Sequence, residues 1–198
     1  MLQKKHHPWD ETTFRLKINC PQCGCENDVD QKAAEDYYNQ RIYSYFQTIH
    51  GTVLDLGCGG GFLSRFMLAN NPVTKVYGLD RGEECANELA DLTKNGKFQF
   101  IQADVSHLNN LFAERRLDFL VSRDVFMFIS NTDRYFNDVT KLVNCGIRQM
   151  GWFMKDSRRM KNHLRPEQIA HEYRQRGWTV HLESLDWYKS GYFIRADR

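Results

Sequence analysis

The chain has 198 residues, 41% of them hydrophobic and 26% charged, with a formal net charge of +2; this is an ordinary globular mix, long enough for one domain with a full core. No apolar stretch approaches the ~20 residues that span a bilayer, and the basic start from Met1 to Pro8 has no apolar run behind it that would make a secretory signal. The expectation is a cytoplasmic protein with no membrane partner, and the small charge excess argues neither for nor against a nucleic acid, which usually shows as a clustered basic face.

The first 30 residues differ in character from the rest and are set apart as an N-terminal extension, 1–30, before a domain of 31–198. They hold Pro8, Trp9, the cysteines Cys20, Cys23 and Cys25, and a polar stretch from Glu26 to Asp30. From Gln31 to Ile49, residues Ala34, Tyr37, Tyr38, Ile42, Tyr45, Phe46 and Ile49 recur at spacings of three and four, which predicts a helix. Gly51 ends it. Thr52 to Leu56 is a short β-rich apolar run and predicts a buried strand. Phe62 to Ala69 is helical and is stopped by Asn70, Asn71 and Pro72. Lys75 to Leu79 predicts a second strand, and Glu83 to Lys94 a helix ended by Asn95 and Gly96. Phe98 to Ala103 predicts a third strand, Leu108 to Arg115 a short helix, and Leu117 to Ser122 a fourth strand. A helix over Asp133 to Val143, closed near Gly146, leads to a fifth strand over Ile147 to Met154. Pro166 stands at a first helical position, Glu167 to Arg176 continues that helix, and Gly177 ends it. Thr179 to Trp187 and Tyr192 to Ala196 predict two last strands with little between them.

Strand alternating with helix predicts an α/β fold: a doubly wound, mostly parallel, seven-stranded sheet with helices on both faces. The last two strands add an antiparallel hairpin.

The strongest local signal is Val53-Leu54-Asp55-Leu56-Gly57-Cys58-Gly59-Gly60-Gly61. A buried strand runs into a glycine-rich turn and then a helix. Glycine permits positive φ and close approach of a ligand to the backbone, and the helix N-terminus adds unpaired N–H groups and a positive dipole end. Dinucleotide sites want G-x-G-x-x-G. Counting from Gly57 the third position is Phe62, and from Gly59 it is Ser64, so a nicotinamide-dependent oxidoreductase is disfavoured. The pattern present is Asp55-x-Gly57-x-Gly59-x-Gly61.

This resembles the first motif of the class I S-adenosylmethionine-dependent methyltransferases (the Rossmann-like methyltransferase fold), and the order of elements matches from about Gln31 onward. The resemblance implies that the loop, with Gly57, Cys58, Gly59 and Gly61, passes under the amino-acid part of the cofactor, and that Asp55 helps to fix that end. A carboxylate attracts the ligand's ammonium, and there is no pyrophosphate to hold.

Two further acidic positions follow. Val76-Tyr77-Gly78-Leu79-Asp80 ends the second strand, and Arg81 comes next. A carboxylate there can accept hydrogen bonds from both ribose hydroxyls, which is the role the resemblance implies for Asp80; its other use is as a helix cap. Gln102-Ala103-Asp104-Val105 ends the third strand. The resemblance implies that Asp104 meets the adenine amino group and that Val105 supplies a neighbouring N–H, although an Asp at a strand end is also common in turns.

Ligands of open α/β sheets bind outside the carboxyl ends of the strands, so the ends of strands four and five, Val121 to Phe126 and Phe153 to Asp156, should face the transferred methyl group. Methyl transfer needs alignment and desolvation, and a base only where the acceptor must lose a proton early. Arg123 and Asp124 are the catalytic candidates; the alternative is that they pair with each other on the surface. The exocyclic-amine methyltransferases carry Asn/Asp-Pro-Pro-Tyr/Phe after this strand; Ser122-Arg123-Asp124-Val125 disfavours that subclass. The N-terminal helix offers Tyr37, Tyr38 and Arg41; in similar enzymes such a helix closes over the cofactor, and the alternative, above all for Tyr45 and Phe46, is core packing by an aromatic stripe. The basic run Lys155 to Arg165, with Lys155, Arg158, Arg159, Lys161 and Arg165, is a solvated surface or a loop over an anionic acceptor.

Cys20-Pro21-Gln22-Cys23-Gly24-Cys25 looks like half of a zinc ribbon. A structural zinc needs four ligands, and no second C-x-x-C exists, so zinc at Cys20 and Cys23 would need Cys25, His6, His7 or a second chain. Some ribosomal-RNA guanine methyltransferases carry such a finger before this fold. The expected activity is methyl transfer from S-adenosylmethionine to a small-molecule acceptor. The alternatives are a non-catalytic binder of the cofactor or its product, and an RNA methyltransferase using the cysteine cluster and the 155–165 segment.

Overall fold

The apolar runs that alternate with helical patterns become the strands of one sheet. The structure, a computed structural model, describes residues 16–19, 26–29, 31–112, 116–188 and 190–198. It divides into two compact units, one ending at Tyr45 and one spanning Phe46–Arg198.

In the N-terminal unit, β1 (Leu16–Asn19) pairs antiparallel with β2 (Glu26–Val29), with Leu16 opposite Val29 and Asn19 opposite Glu26. Helix α1 (Gln31–Ser44) follows. It ends short of the Ile49 that its periodicity predicts. The Ser44 hydroxyl donates to the Arg41 carbonyl at 2.7 Å and the Tyr45 amide to the Ile42 carbonyl at 3.1 Å, which tightens the last turn.

The second unit opens with a segment held by one side chain. Asn71 Nδ2 donates to the carbonyls of Phe46, Gln47 and Ile49 at 2.8, 3.2 and 3.1 Å. These oxygens are thereby satisfied without a helix, and the apolar spacing of Phe46 and Ile49 serves burial instead.

The sheet strands are β3 (Gly51–Leu56), β4 (Val73–Asp80), β5 (Phe98–Gln102), β6 (Leu117–Arg123), β7 (Val143–Trp152), β8 (Thr179–Leu185) and β9 (Gly191–Asp197). Their order is β5-β4-β3-β6-β7-β9-β8. The first five run parallel, and β9 is antiparallel to both β7 and β8. The order reverses between β3 and β6, the switch point at which the strand ends open a crevice. Helices α2 (Phe62–Asn70), α5 (Thr132–Leu142) and α6 (Pro166–Gln175) are the long crossovers. Leu54, Leu120 and Ile147 of the sheet share one core with Phe136, Val139 and Tyr173 of the helices. Because helices cover the sheet, β3 and β6 are near-continuous buried runs rather than alternating ones.

Two expectations are corrected. The helix predicted over Glu83 to Lys94 is broken into α3 (Cys85–Glu88) and a 3₁₀ turn at Leu92–Lys94. Arg65 donates to the Glu88 carbonyl at 3.1 Å, the oxygen that a continuing helix would offer to Leu92, and also pairs with Asp91. The helix predicted over Leu108 to Arg115 likewise ends early, as α4 (Leu108–Leu111) with Phe112 already extended, and a 3₁₀ turn precedes it.

Gly146 does not close α5. That helix passes directly into β7, and Gly146 stands inside the strand. A Cβ there would lie 2.7 Å from Phe119 Cε1 and 3.0 Å from both Arg148 Nη1 and Asp197 Oδ1, the atoms of an ion pair between a buried arginine and a half-buried aspartate. The glycine answers packing, not helix termination. Gly146→Ala is therefore expected to destabilise the fold by about 1–3 kcal/mol, the usual cost of overpacking. Urea melts check this, and a variant as stable as wild type would mean that Phe119 and the ion pair yield freely.

Candidate functional site

The turn between β3 and α2 is folded onto the end of β4. The amides of Gly57 and Cys58 both donate to the Leu79 carbonyl, at 2.7 and 3.1 Å. Gly57 has φ +68°, and a Cβ there would strike Val125 Cγ2 at 2.2 Å, so only glycine lets the turn pass beneath the β6 exit. Gly59 has φ +48°, and a Cβ there would meet nothing within 4 Å. The middle of the turn is open.

Asp80 ends β4, with both carboxylate oxygens engaged. Oδ2 accepts from the Gly59 amide and Oδ1 from the Gly82 amide, each at 3.0 Å. A carboxylate has about four acceptor sites, so the group is oriented and retains capacity. Asp104 follows β5, and its Oδ1 accepts from the Ser106 amide at 2.9 Å, capping the 3₁₀ turn Val105–His107. The bonds from Ser106 hold its carboxyl below the ordinary value.

These strand ends surround a cavity of about 280 Å³. It gathers Gly57, Asp80, Arg81, Asp104 and Val105 from the sequence-predicted set, with both Arg123 and Asp124. Leu79, Ala103, Phe128 and Ile129 give it an apolar wall. Among the described residues no ion pair joins Arg123 to Asp124, and both line the cavity. The Arg123 guanidinium lies 4.1 Å from the centre of the Phe62 ring. Asp124 has φ +60°, its amide donates to the Met150 carbonyl at 3.0 Å, and its Oδ2 accepts from the Tyr188 hydroxyl. Burial, reinforced by the Asp124 charge, pushes the Tyr188 phenol well above its ordinary value, so it stays a donor.

Other predicted residues stand elsewhere. Asp55 is 2% exposed and is not among the lining residues; its Oδ2 accepts from the Ser64 hydroxyl at 2.6 Å, tying β3 to the first turn of α2. Burial raises its carboxyl to about 6 against the opposing pull of Ser64 and Arg123. Cys58 and Gly61 are also buried behind the lining. Lys155 does not line the cavity. Tyr37 and Tyr38 belong to α1, with rings edge-on at 5.7 Å. Cys20, Cys23 and Cys25 lie outside the described residues, among which no group of three or more His, Cys, Asp or Glu could hold a metal ion. No described helix is long and apolar enough to cross a membrane.

Sequence reasoning missed Tyr188, Phe128 and Ile129. The run Phe126-Met127-Phe128-Ile129 was the available signal, since it is apolar where a turn follows a strand; Phe128 remains 47% exposed at the cavity.

A family model described as a methyltransferase domain matches residues 48–184. Among solved structures, the fold is similar to an S-adenosylmethionine-dependent methyltransferase from Mesorhizobium loti, with TM-score 0.68 and 15% identity over 80% of this chain and 96% of that one. A chain of the complex between the Haloferax volcanii Trm112 methyltransferase activator and a methyltransferase is similar with TM-score 0.68 and 14% identity, over 84% and 91%. Phosphoethanolamine N-methyltransferase 2 of Haemonchus contortus, in complex with S-adenosyl-L-methionine, is similar with TM-score 0.67 and 15% identity, over 82% of this chain and 52% of that one. No curated protein matches the chain in sequence.

The Asp55 carboxyl gives a pH test. Its folded value, about 6, exceeds the ordinary 3.8, so between those values the folded chain binds more protons than the unfolded one. Stability from this group therefore falls as pH rises from about 4 to about 6. Asp55→Asn keeps an acceptor for Ser64 and cannot titrate. Urea melts should show the variant gaining on wild type by up to ~3 kcal/mol between pH 4 and pH 7. A constant offset across that range would rule out a buried titrating carboxylate.

Proposed function

The chain belongs to the methyltransferase domain family, and we propose that its strand-end cavity holds S-adenosylmethionine for transfer of the methyl group to a small acceptor seated beside Arg123 and Asp124. The observation that carries this reading is Asp80: a half-buried carboxylate at the end of β4, one strand from the switch point, oriented by two backbone amides, with acceptor capacity left over.

The lining fits the group in kind. Asp80 accepts hydrogen bonds from a vicinal diol such as ribose. Leu79, Ala103, Val105 and Ile129 form an apolar slot for a planar base, with the Asp104 carboxylate at its edge as an acceptor for an exocyclic amine. The open turn at Gly59 lets a ligand approach the backbone, and the Arg123 guanidinium is a partner for a ligand carboxylate. Asp55 acts through Ser64 by fixing the turn, rather than by touching the ligand. When bound, S-adenosylmethionine supplies an electrophilic methyl group on a sulfonium.

The remaining work falls to the chain. Asp124 accepts the N–H or O–H of the acceptor, orients its lone pair and takes up its proton. Tyr188 holds that carboxylate in place through Oδ2. Val125, Phe128 and Ile129 exclude water from the same space.

Isothermal titration should show saturable binding of S-adenosylmethionine and S-adenosylhomocysteine and none of NAD. Asp80→Ala should weaken both by about 1–3 kcal/mol through lost hydrogen bonds. Binding of NAD alone would overturn the cofactor, and an unchanged affinity in the variant would remove Asp80 from the site.

A further inference from the structure

A second cavity, of about 310 Å³, adjoins the first and shares Arg81, Asp104, Val105, Phe128 and Ile129 with it. Its other lining residues come from the turn after β5, the start of α5 and the basic 155–165 segment. Three cations, Arg81, Arg134 and Lys161, converge on it from three separate parts of the chain, against one carboxylate, Asp104. Asp104 already accepts from the Ser106 amide. Arg134 spends part of its fork on Asn109 Oδ1 at 3.3 Å and lies 3.6 Å from Asp138. Ser106, Ser130 and Asn131 add neutral polar groups.

Lys161 is brought there by a built connection. Its amide donates to the Met127 carbonyl at 2.7 Å, and the next residue, Asn162, donates from Nδ2 to the carbonyls of Phe126 and Ile129, both at 2.8 Å. The chain at 161–162 is thus laced to the 126–129 turn that walls both cavities. Of the five cations in the basic run, Lys161 is the one so held, whereas Lys155, Arg158 and Arg159 line neither cavity. Helix α5, of 11 residues, also begins here, and its N-terminal dipole end has the same sign.

Three cations with hydroxyl and amide donors match a multiply charged tetrahedral anion better than a carboxylate, which offers one charge and two oxygens. We propose that this second cavity is a phosphate subsite, and that the methyl acceptor carries a phosphate ester bound by Arg81, Arg134 and Lys161. The subsite stands on its own lining; its assignment to the acceptor rests on the cofactor reading of the neighbouring cavity. The ester could belong to a small phosphorylated molecule or to a nucleic-acid strand, and the test separates them.

The full chain is titrated with pyrophosphate, with a short single-stranded RNA and, separately, with S-adenosylhomocysteine. Wild type should bind pyrophosphate saturably. Lys161→Glu, which keeps the backbone bond to Met127, and Arg134→Gln should each weaken it by roughly ten- to a hundred-fold, with S-adenosylhomocysteine affinity and circular dichroism unchanged. RNA binding tighter than pyrophosphate and steeply salt-dependent supports the subsite and assigns it to a nucleic acid; RNA bound no tighter supports it and assigns it to a small phosphorylated acceptor. Pyrophosphate binding without S-adenosylhomocysteine binding supports the subsite while overturning the cofactor reading. Absence of pyrophosphate binding, or equal binding by wild type and both variants, overturns the proposal.

Discussion

The carbonyl of Leu79 holds two amides, those of Gly57 and Cys58, and the rest of the site depends on that junction. It folds the exit of β3 onto the end of β4. Once the turn lies there, the Gly59 amide reaches Asp80 Oδ2, and the carboxylate is aimed by backbone rather than by a flexible partner. The same fold brings Gly57 so close to Val125 that no side chain fits between them. One turn thereby sets the relative heights of β3, β4 and the exit of β6, three of the edges of the cavity.

Beneath the turn lies a group that opposes stability. Asp55 is buried with a single side-chain donor, Ser64, and its raised carboxyl marks an environment that disfavours charge. A neutral residue would pack there at less cost. What the carboxylate adds is a short link from the end of β3 to the first turn of α2, so that the loop between them is fixed at both ends. Stability given up at a site in exchange for a defined geometry is a familiar arrangement.

Much of this was legible in the sequence because it is local. Strand, glycine turn and helix succeed each other within residues 51–70, and Asp80 and Asp104 end strands whose apolar runs identify them. The missing parts are long-range. Asn71 replaces a helical turn at 46–49 from 22 to 25 residues away, and Arg65 breaks a helix by taking the Glu88 carbonyl. Gly146 reads locally as a helix stop, yet its reason is the Phe119 ring on the neighbouring strand. Periodicity reports which face is buried and is silent on which distant side chain claims a carbonyl. The burial of Asp55 and its bond to Ser64, nine residues on, are local in sequence, but an acidic residue type does not announce which hydroxyl it will meet.

The C-terminal hairpin contributes more than a sheet edge. Asp124 sits at positive φ, which a non-glycine residue adopts only when its surroundings require it. Two contacts impose it: the Met150 carbonyl of β7 takes its amide, and the Tyr188 hydroxyl, from the turn between β8 and β9, takes its carboxylate. The second contact spans 64 residues. It makes the antiparallel pair, the part of the sheet farthest from the glycine turn in sequence, a determinant of how a carboxylate in the cavity lining is oriented. Variation in that hairpin is thus a route by which this side of the cavity can change without disturbing β3, β4 or the residues between them.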